Sequence, residues 1–203
     1  MGLIEEFERM YWDQNKLVLG LDEAGRGPMA GPCIVSGVIF PKGYDHPEIN
    51  DSKAMSEKKR NDLYEIILQD ALAVYVEEIS VETIDMLNIY QAVKEAMKKI
   101  ANKASAEIIL SDALDFKALN KTVIPIIKGD ARSLSIAAAS IIAKVTRDKI
   151  MMDLDQKYPE YGFKNNKGYG TKEHKAAILK FGRTPSHRKH FRFKDEDQLS
   201  LDI

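Results

Sequence analysis

The chain has one cysteine, Cys33, among 203 residues. An intramolecular disulfide and a cysteine-built metal cage are both excluded, and Cys33 reads as a small buried hydrophobe in a reduced compartment. Nowhere do 18 apolar residues run together, and the chain does not open on a charged segment followed by an apolar one. Both absences argue against a membrane span and a secretory signal, and so for a cytoplasmic location. Net charge is scarce too: 30 basic residues against 31 acidic leave −1. No internal repeat or low-complexity tract interrupts the chain. What is present, 44% hydrophobic and 30% charged, is ordinary for a globular protein of one domain with a small appendage.

The near-zero net charge hides an uneven distribution. Residues 164–194 hold ten Lys or Arg, three of the four histidines and a single acid, Glu173. Such a block is the electrostatic footprint of a phosphate backbone, the competing reading being a solvated helix face. His187, set among arginines, reads as part of that basic surface, with phosphate binding or product release as the alternative. The end of the chain is the reverse, with Asp195, Glu196, Asp197 and Asp202.

Periodicity orders the elements. An amphipathic helix is expected over 3–12, strands over 17–22 and 33–40, a loop over 41–51, and a helix from a Ser56 cap to about Gln69. A third strand over 72–79, helices over 81–87 and 89–103, and two apolar runs over 106–110 and 122–127 follow. A long helix spans 133–157; its Ala- and Ile-rich first half must be buried on most sides, and its charged second half should project. A loop over 158–170 and a helix over 171–181 complete the chain. Strands early and helices interleaved imply an α/β fold with a mixed sheet, two hairpin-like connections first and crossovers afterwards. Tyr44, Tyr75 and Tyr90 read as packing residues, and the eight methionines as core filler.

Three of the apolar runs stop at acids: Asp22-Glu23, Asp112 and Asp130. Asp115 is also near the second of these ends, but Asp112 follows its run directly. Adjacent side chains on a strand face opposite ways, so Asp22 and Glu23 share a site only if their strand is already ending. The loop behind them, with Gly25, Gly27 and Gly31, can supply that ending and bring its backbone close to a ligand. Four convergent carboxylates would repel and raise one another's pKa. A hard divalent cation removes that conflict, and oxygen ligands suit Mg²⁺ or Mn²⁺. Two such ions would activate water and stabilise a leaving oxygen in phosphodiester cleavage.

The segments Asp22-Glu-Ala-Gly-Arg-Gly-Pro28, Asn50-Asp-Ser-Lys53, Ile84-Asp-Met-Leu-Asn-Ile89, Lys128-Gly-Asp130, Ala137 to Asp148, Lys167-Gly-Tyr-Gly-Thr171 and Thr184-Pro-Ser-His-Arg188 resemble, in order, the motifs of the ribonuclease HII family. The resemblance covers about residues 15–193. Ala54-Met55 departs from it, standing where the family usually has Lys-Leu. It implies a ribonuclease-H-like five-stranded mixed sheet flanked by helices, with a helical C-terminal extension; the chain then divides into a core over 1–157, a basic extension over 158–194 and, beyond the resemblance, an acidic terminal stretch over 195–203 expected to be flexible. It implies cleavage of the RNA strand of RNA–DNA hybrids and cleavage 5′ to a single ribonucleotide in duplex DNA, leaving 3′-hydroxyl and 5′-phosphate ends, by a monomer. Asp22, Glu23, Asp112 and Asp130 are then the metal-binding catalytic acids. Gly25-Arg26-Gly27 is the loop that recognises the 2′-hydroxyl, Tyr169 packs on the following sugar, and Lys53 contacts phosphate. Ribonuclease HIII usually differs by an N-terminal extension and a glutamate as fourth acid. A non-catalytic hybrid-binding protein would lack one or more acids. Finally, Gln198, Leu199, Leu201 and Ile203 resemble the short peptide by which bacterial repair proteins bind the replication sliding clamp.

Overall fold

The computed structural model describes residues 6–50, 52, 55–194 and 196. Strands β1 (Val18–Ala24) and β2 (Cys33–Ile39) are antiparallel, as are β2 and β3 (Ala73–Ile79). The chain then crosses over through α3 (Val81–Leu87) and α4 (Ile89–Lys103) to β4 (Ile108–Asp112), parallel to β1, and on to β5 (Thr122–Ile126), parallel to β4. The order is β3-β2-β1-β4-β5. This is the mixed five-stranded sheet expected from the sequence, flanked by helices.

Alternation along β1 assigns its side chains to two cores. Val18 packs with α1 (Glu6–Trp12), α2 (Glu57–Asp70) and α5 (Leu134–Lys157), through Trp12, Leu63, Ile67 and Ile141. Leu19 and Leu21 pack with α3 and α4, through Ile84, Val93 and Met97. Gly20 lets α5 lie directly on the sheet, since a Cβ there would sit 2.2 Å from the Ser135 carbonyl carbon. That contact explains why residues 136–143 of α5 are all buried. The start of α5 is anchored from a distance. Buried Glu8 of α1 accepts hydrogen bonds from the Ser133 hydroxyl (2.5 Å) and the Ser135 N–H (2.9 Å).

Several expectations are corrected. β1 does not stop at residue 22 but runs to Ala24, because β2 continues to pair with it through Asp22–Ser36, Glu23–Val35 and Ala24–Ile34. The second half of α5 does not project: Arg147, Asp148 and Met151 are buried. Met151 joins Met29, Tyr161, Phe163 and Ile178 in a third cluster that holds the C-terminal residues to the core. The expected loop over 158–170 contains a 3-10 turn, Pro159–Tyr161, and a short helix, α6 (Phe163–Asn166); α7 (Lys172–Phe181) follows on a Thr171 cap. Tyr90, Met10 and Met86 are exposed rather than packed, whereas Cys33, Met97 and Met151 are core. Among the described residues no helix is long and apolar enough to cross a membrane.

Candidate active site

Because β1 and β4 are neighbouring parallel strands, their C-terminal ends open on the same edge of the sheet, where ligands of open α/β sheets collect. Asp22 lies near the end of β1 and Asp112 is the last residue of β4. Asp130 sits in the 3-10 turn Gly129–Ala131 after β5. Asp112 Oδ1 accepts the Gly129 N–H at 2.8 Å, which fastens that turn to the β4 end. Each of the three aspartates offers a carboxylate oxygen within 4.8 Å of the others. Asp22 and Asp130 are only 4% and 6% exposed. Burial first, then Glu23 and Asp112, push the Asp22 carboxyl well above the ordinary carboxylate range, against bonds from the Ser140 hydroxyl and the Glu23 N–H that favour its charged form. A cluster of hard oxygens whose charges oppose one another fits a divalent cation.

Glu23 stands apart from those three. It lines the same cleft, but its carboxylate is paired with Arg26 at 3.2 Å. Its charge nevertheless reaches Asp22, whose pKa it helps to raise. Asp115 is exposed and outside the group, which includes Asp112.

The cleft encloses about 290 Å³ and is lined by Gly25, Arg26, Gly27 and Tyr169 beside the acids Asp22, Glu23 and Asp112. Gly25 has φ +104°, and a Cβ there would lie 2.2 Å from Arg147 Nε, so both conformation and space require glycine. Two buried arginines shape the loop. Arg147 donates to the carbonyls of Pro32 (2.9 Å), Ala30 (3.1 Å) and Lys167 (2.9 Å). Arg188 donates to those of Gly25 (2.6 Å), Arg26 (3.0 Å), Gly31 (2.9 Å) and Pro32 (3.2 Å). The carbonyls of Gly25 and Arg26 are therefore engaged away from the cleft. Burial lowers the Arg188 pKa to about 10.

The basic block is thus only partly a surface. Lys164, Lys172, Lys180, Lys189, Arg192 and Lys194 are exposed, but His174, His187 and Arg188 are buried. The reading of His187 as basic surface is overturned, because its ring packs against Tyr161 and Phe163 and bonds to His174. Glu196, assigned to the free acidic tail, instead pairs with Arg183. Lys53 and the tail residues Gln198, Leu199, Leu201 and Ile203 lie outside the described residues.

Sequence reading also missed part of the cleft. Ser52, Ser140, Lys144 and Arg147 line it. The Ser52 and Ser140 hydroxyls are 2.8 Å apart, and Lys144 pairs with Asp148 at 2.6 Å. The signal was available: Ser140, Lys144 and Arg147 recur at i, i+4 and i+7, one face of α5.

A family model, Ribonuclease HII, matches residues 19–194. Ribonuclease HII of Acholeplasma laidlawii (strain PG-8A) is 49% identical over 188 residues, covering 91% of this chain and 92% of that protein. The crystal structure of the ribonuclease H2 from Pyrococcus horikoshii OT3 is similar with a TM-score of 0.75 at 25% identity, over 91% of this chain and 97% of that one. The structure of the PCNA:RNase HII complex from Archaeoglobus fulgidus is similar with a TM-score of 0.74 at 26% identity, over 88% and 96% of the two chains.

Proposed function

This chain belongs to the ribonuclease HII family, metal-dependent enzymes that hydrolyse RNA in RNA–DNA hybrids, and on that premise we propose that it also cleaves 5′ to a single ribonucleotide embedded in duplex DNA. The observation that carries the proposal is the meeting, in one cleft, of the acids with the Gly25–Gly27 loop and Tyr169. Asp22, Asp112 and Asp130, with Glu23 beside them, would hold two Mg²⁺ or Mn²⁺ ions. Bound there, such ions supply water activation and neutralise charge on the leaving oxygen.

The chain's own residues do the selecting. Arg188 and Arg147 hold the glycine loop so that it faces the cleft without side chains at 25 and 27. Backbone groups of that loop read a 2′-hydroxyl, which is the chemical difference between RNA and DNA at one position. The ring of Tyr169 stands beside Gly27, 3.5 Å from where a Cβ would be, and a bulky ring there favours a deoxyribose as the next sugar. Lys53 contacts a phosphate, and Ser140 positions Asp22. The exposed lysines of the C-terminal part follow the duplex backbone.

We propose a monomer as the acting unit, placed in the cytoplasm. The Archaeoglobus relative was solved with PCNA, which supports a clamp as partner here as well, docked through Gln198, Leu199, Leu201 and Ile203.

The test is a gel assay on duplex DNA carrying one ribonucleotide beside an all-RNA strand paired to DNA, with Mg²⁺, Mn²⁺ or chelator. A nick 5′ to the lone ribonucleotide with a 3′-hydroxyl end is expected in either metal and not in chelator. Cleavage of the hybrid alone would overturn the single-ribonucleotide reading.

A further inference from the structure

Two histidines of the C-terminal part form a buried chain of hydrogen bonds that the proposed function does not use. His174 Nε2 and His187 Nε2 are 3.0 Å apart. At one end, His174 Nδ1 lies 2.9 Å from the Tyr169 carbonyl, which can only accept, so Nδ1 carries the proton. At the other, the Thr184 N–H, 2.9 Å away, can only donate, so His187 Nδ1 is bare and its proton sits on Nε2. One proton then lies between the two rings. The chain is complete only with both rings neutral; an extra proton would set two N–H groups against each other. Tyr161 and Phe163 enclose the pair, with ring centroids 5.1 Å from His187 and 5.3 Å from His174.

What the chain ends on is the backbone of Tyr169. That side chain is 50% exposed, so packing fixes it weakly and its backbone must do so. Its N–H donates to Asn166 (2.9 Å), and its carbonyl accepts from Thr171 N–H (2.8 Å) and from His174. The residue after His187 is Arg188, which grips the carbonyls of Gly25 and Arg26. Adjacent residues thus hold the two parts of the cleft that read consecutive sugars.

We infer that the His174–His187 pair is a positioning device for substrate choice: together with Arg188 it fixes the Tyr169 ring relative to the Gly25–Gly27 loop, and so sets the preference for a deoxyribose after the ribonucleotide. This rests on the reading of Tyr169 and the loop given above.

The experiment compares kcat and KM on a single-ribonucleotide duplex and on a long hybrid. His174→Phe fills the space without a donor, and should lower kcat/KM on the first substrate by ~10-fold more than on the second, as a slightly misplaced positioning group does. His174→Asn keeps a donor at the Nδ1 position and should restore the ratio. Tyr169→Ala should move the ratio the same way, and adding His174→Phe to it should move it no further, since coupled residues are not additive. Equal losses on both substrates from His174→Phe, or a further shift in the Tyr169→Ala background, would overturn the inference and leave the role of Tyr169 standing. An unchanged ratio in Tyr169→Ala would remove that role and the inference with it. The unsubstituted protein gives a measurement independent of folding defects: ring ¹⁵N spectra at neutral pH should show His174 as the Nδ1–H tautomer and His187 as the Nε2–H tautomer, and the opposite assignment would refute the chain.

Discussion

At the scale of single residues, the clearest conflict is the Asp22 carboxylate, buried beside Asp112 and raised in pKa by its surroundings. Asp22→Asn keeps the shape and removes one charge. Activity should fall by at least ~100-fold, since preorganised charge is the largest contribution in such sites. Two melting curves separate charge from folding: in chelator the variant should melt no lower than the parent, while the rise in Tm on adding Mg²⁺ or Mn²⁺ should shrink. Normal cleavage by Asp22→Asn would end the assignment of that residue. For Tyr169→Ala the expected loss falls on the substrate with a lone ribonucleotide, because the missing contact is with a deoxyribose; steady-state kinetics on both substrates reads it directly.

Among the elements, α5 does most to build the site. It lies on Gly20, carries Ser140, Lys144 and Arg147 into the cleft, and begins at the turn that holds Asp130. Glu8 braces its first turn with a carboxylate on unpaired N–H and O–H donors, where the helix dipole favours negative charge. Glu8→Ala should cost ~1–2 kcal/mol, the range for losing a helix N-terminal acceptor, read as a lower urea midpoint with unchanged slope. The C-terminal elements bring a pH dependence. Burial first, then His174 and Arg183, lower the His187 pKa to about 4, against the Thr184 bond and Glu196; burial also lowers that of His174. The folded state therefore binds fewer protons than an unfolded chain whose histidines titrate near ~6.5. The resulting stability is complete above that value and is lost as pH falls towards about 4. Calorimetric Tm should decline over that window, and a variant with Phe at both positions should show a flatter decline.

For the whole molecule, the residues after α5 are structural partners of the cleft as much as a surface for nucleic acid. Their buried arginine and histidines reach the loop after β1 and Tyr169, while their exposed lysines face outward. We therefore treat residues 158–194 as part of one domain with the sheet. The clamp-binding proposal belongs to the opposite category, a segment dispensable for chemistry. Deleting residues 198–203 should leave cleavage of short duplexes within ~2-fold of the parent, an additive outcome for residues outside the cleft chemistry, and abolish binding to the organism's own clamp in calorimetry. Failure of the full chain to bind the clamp would refute the docking role.

The positions of the strands along the chain, the acids at 22, 112 and 130, and the glycine loop were legible in the sequence because each leaves a local mark: an apolar run, a charge at its end, residues that break it. The burial of α5 was legible for the same reason, in its Ala and Ile composition. What the sequence left undecided depends on contacts between residues far apart along the chain. The fastening of the turn that holds Asp130 to Asp112 is a contact that no property of a single segment announces. His187 and Arg188 look like surface charge until the loop after β1 offers carbonyls, and His174 a ring nitrogen, to receive them. A charged side chain can be buried when its donors are met, and only the tertiary structure brings the acceptors to it.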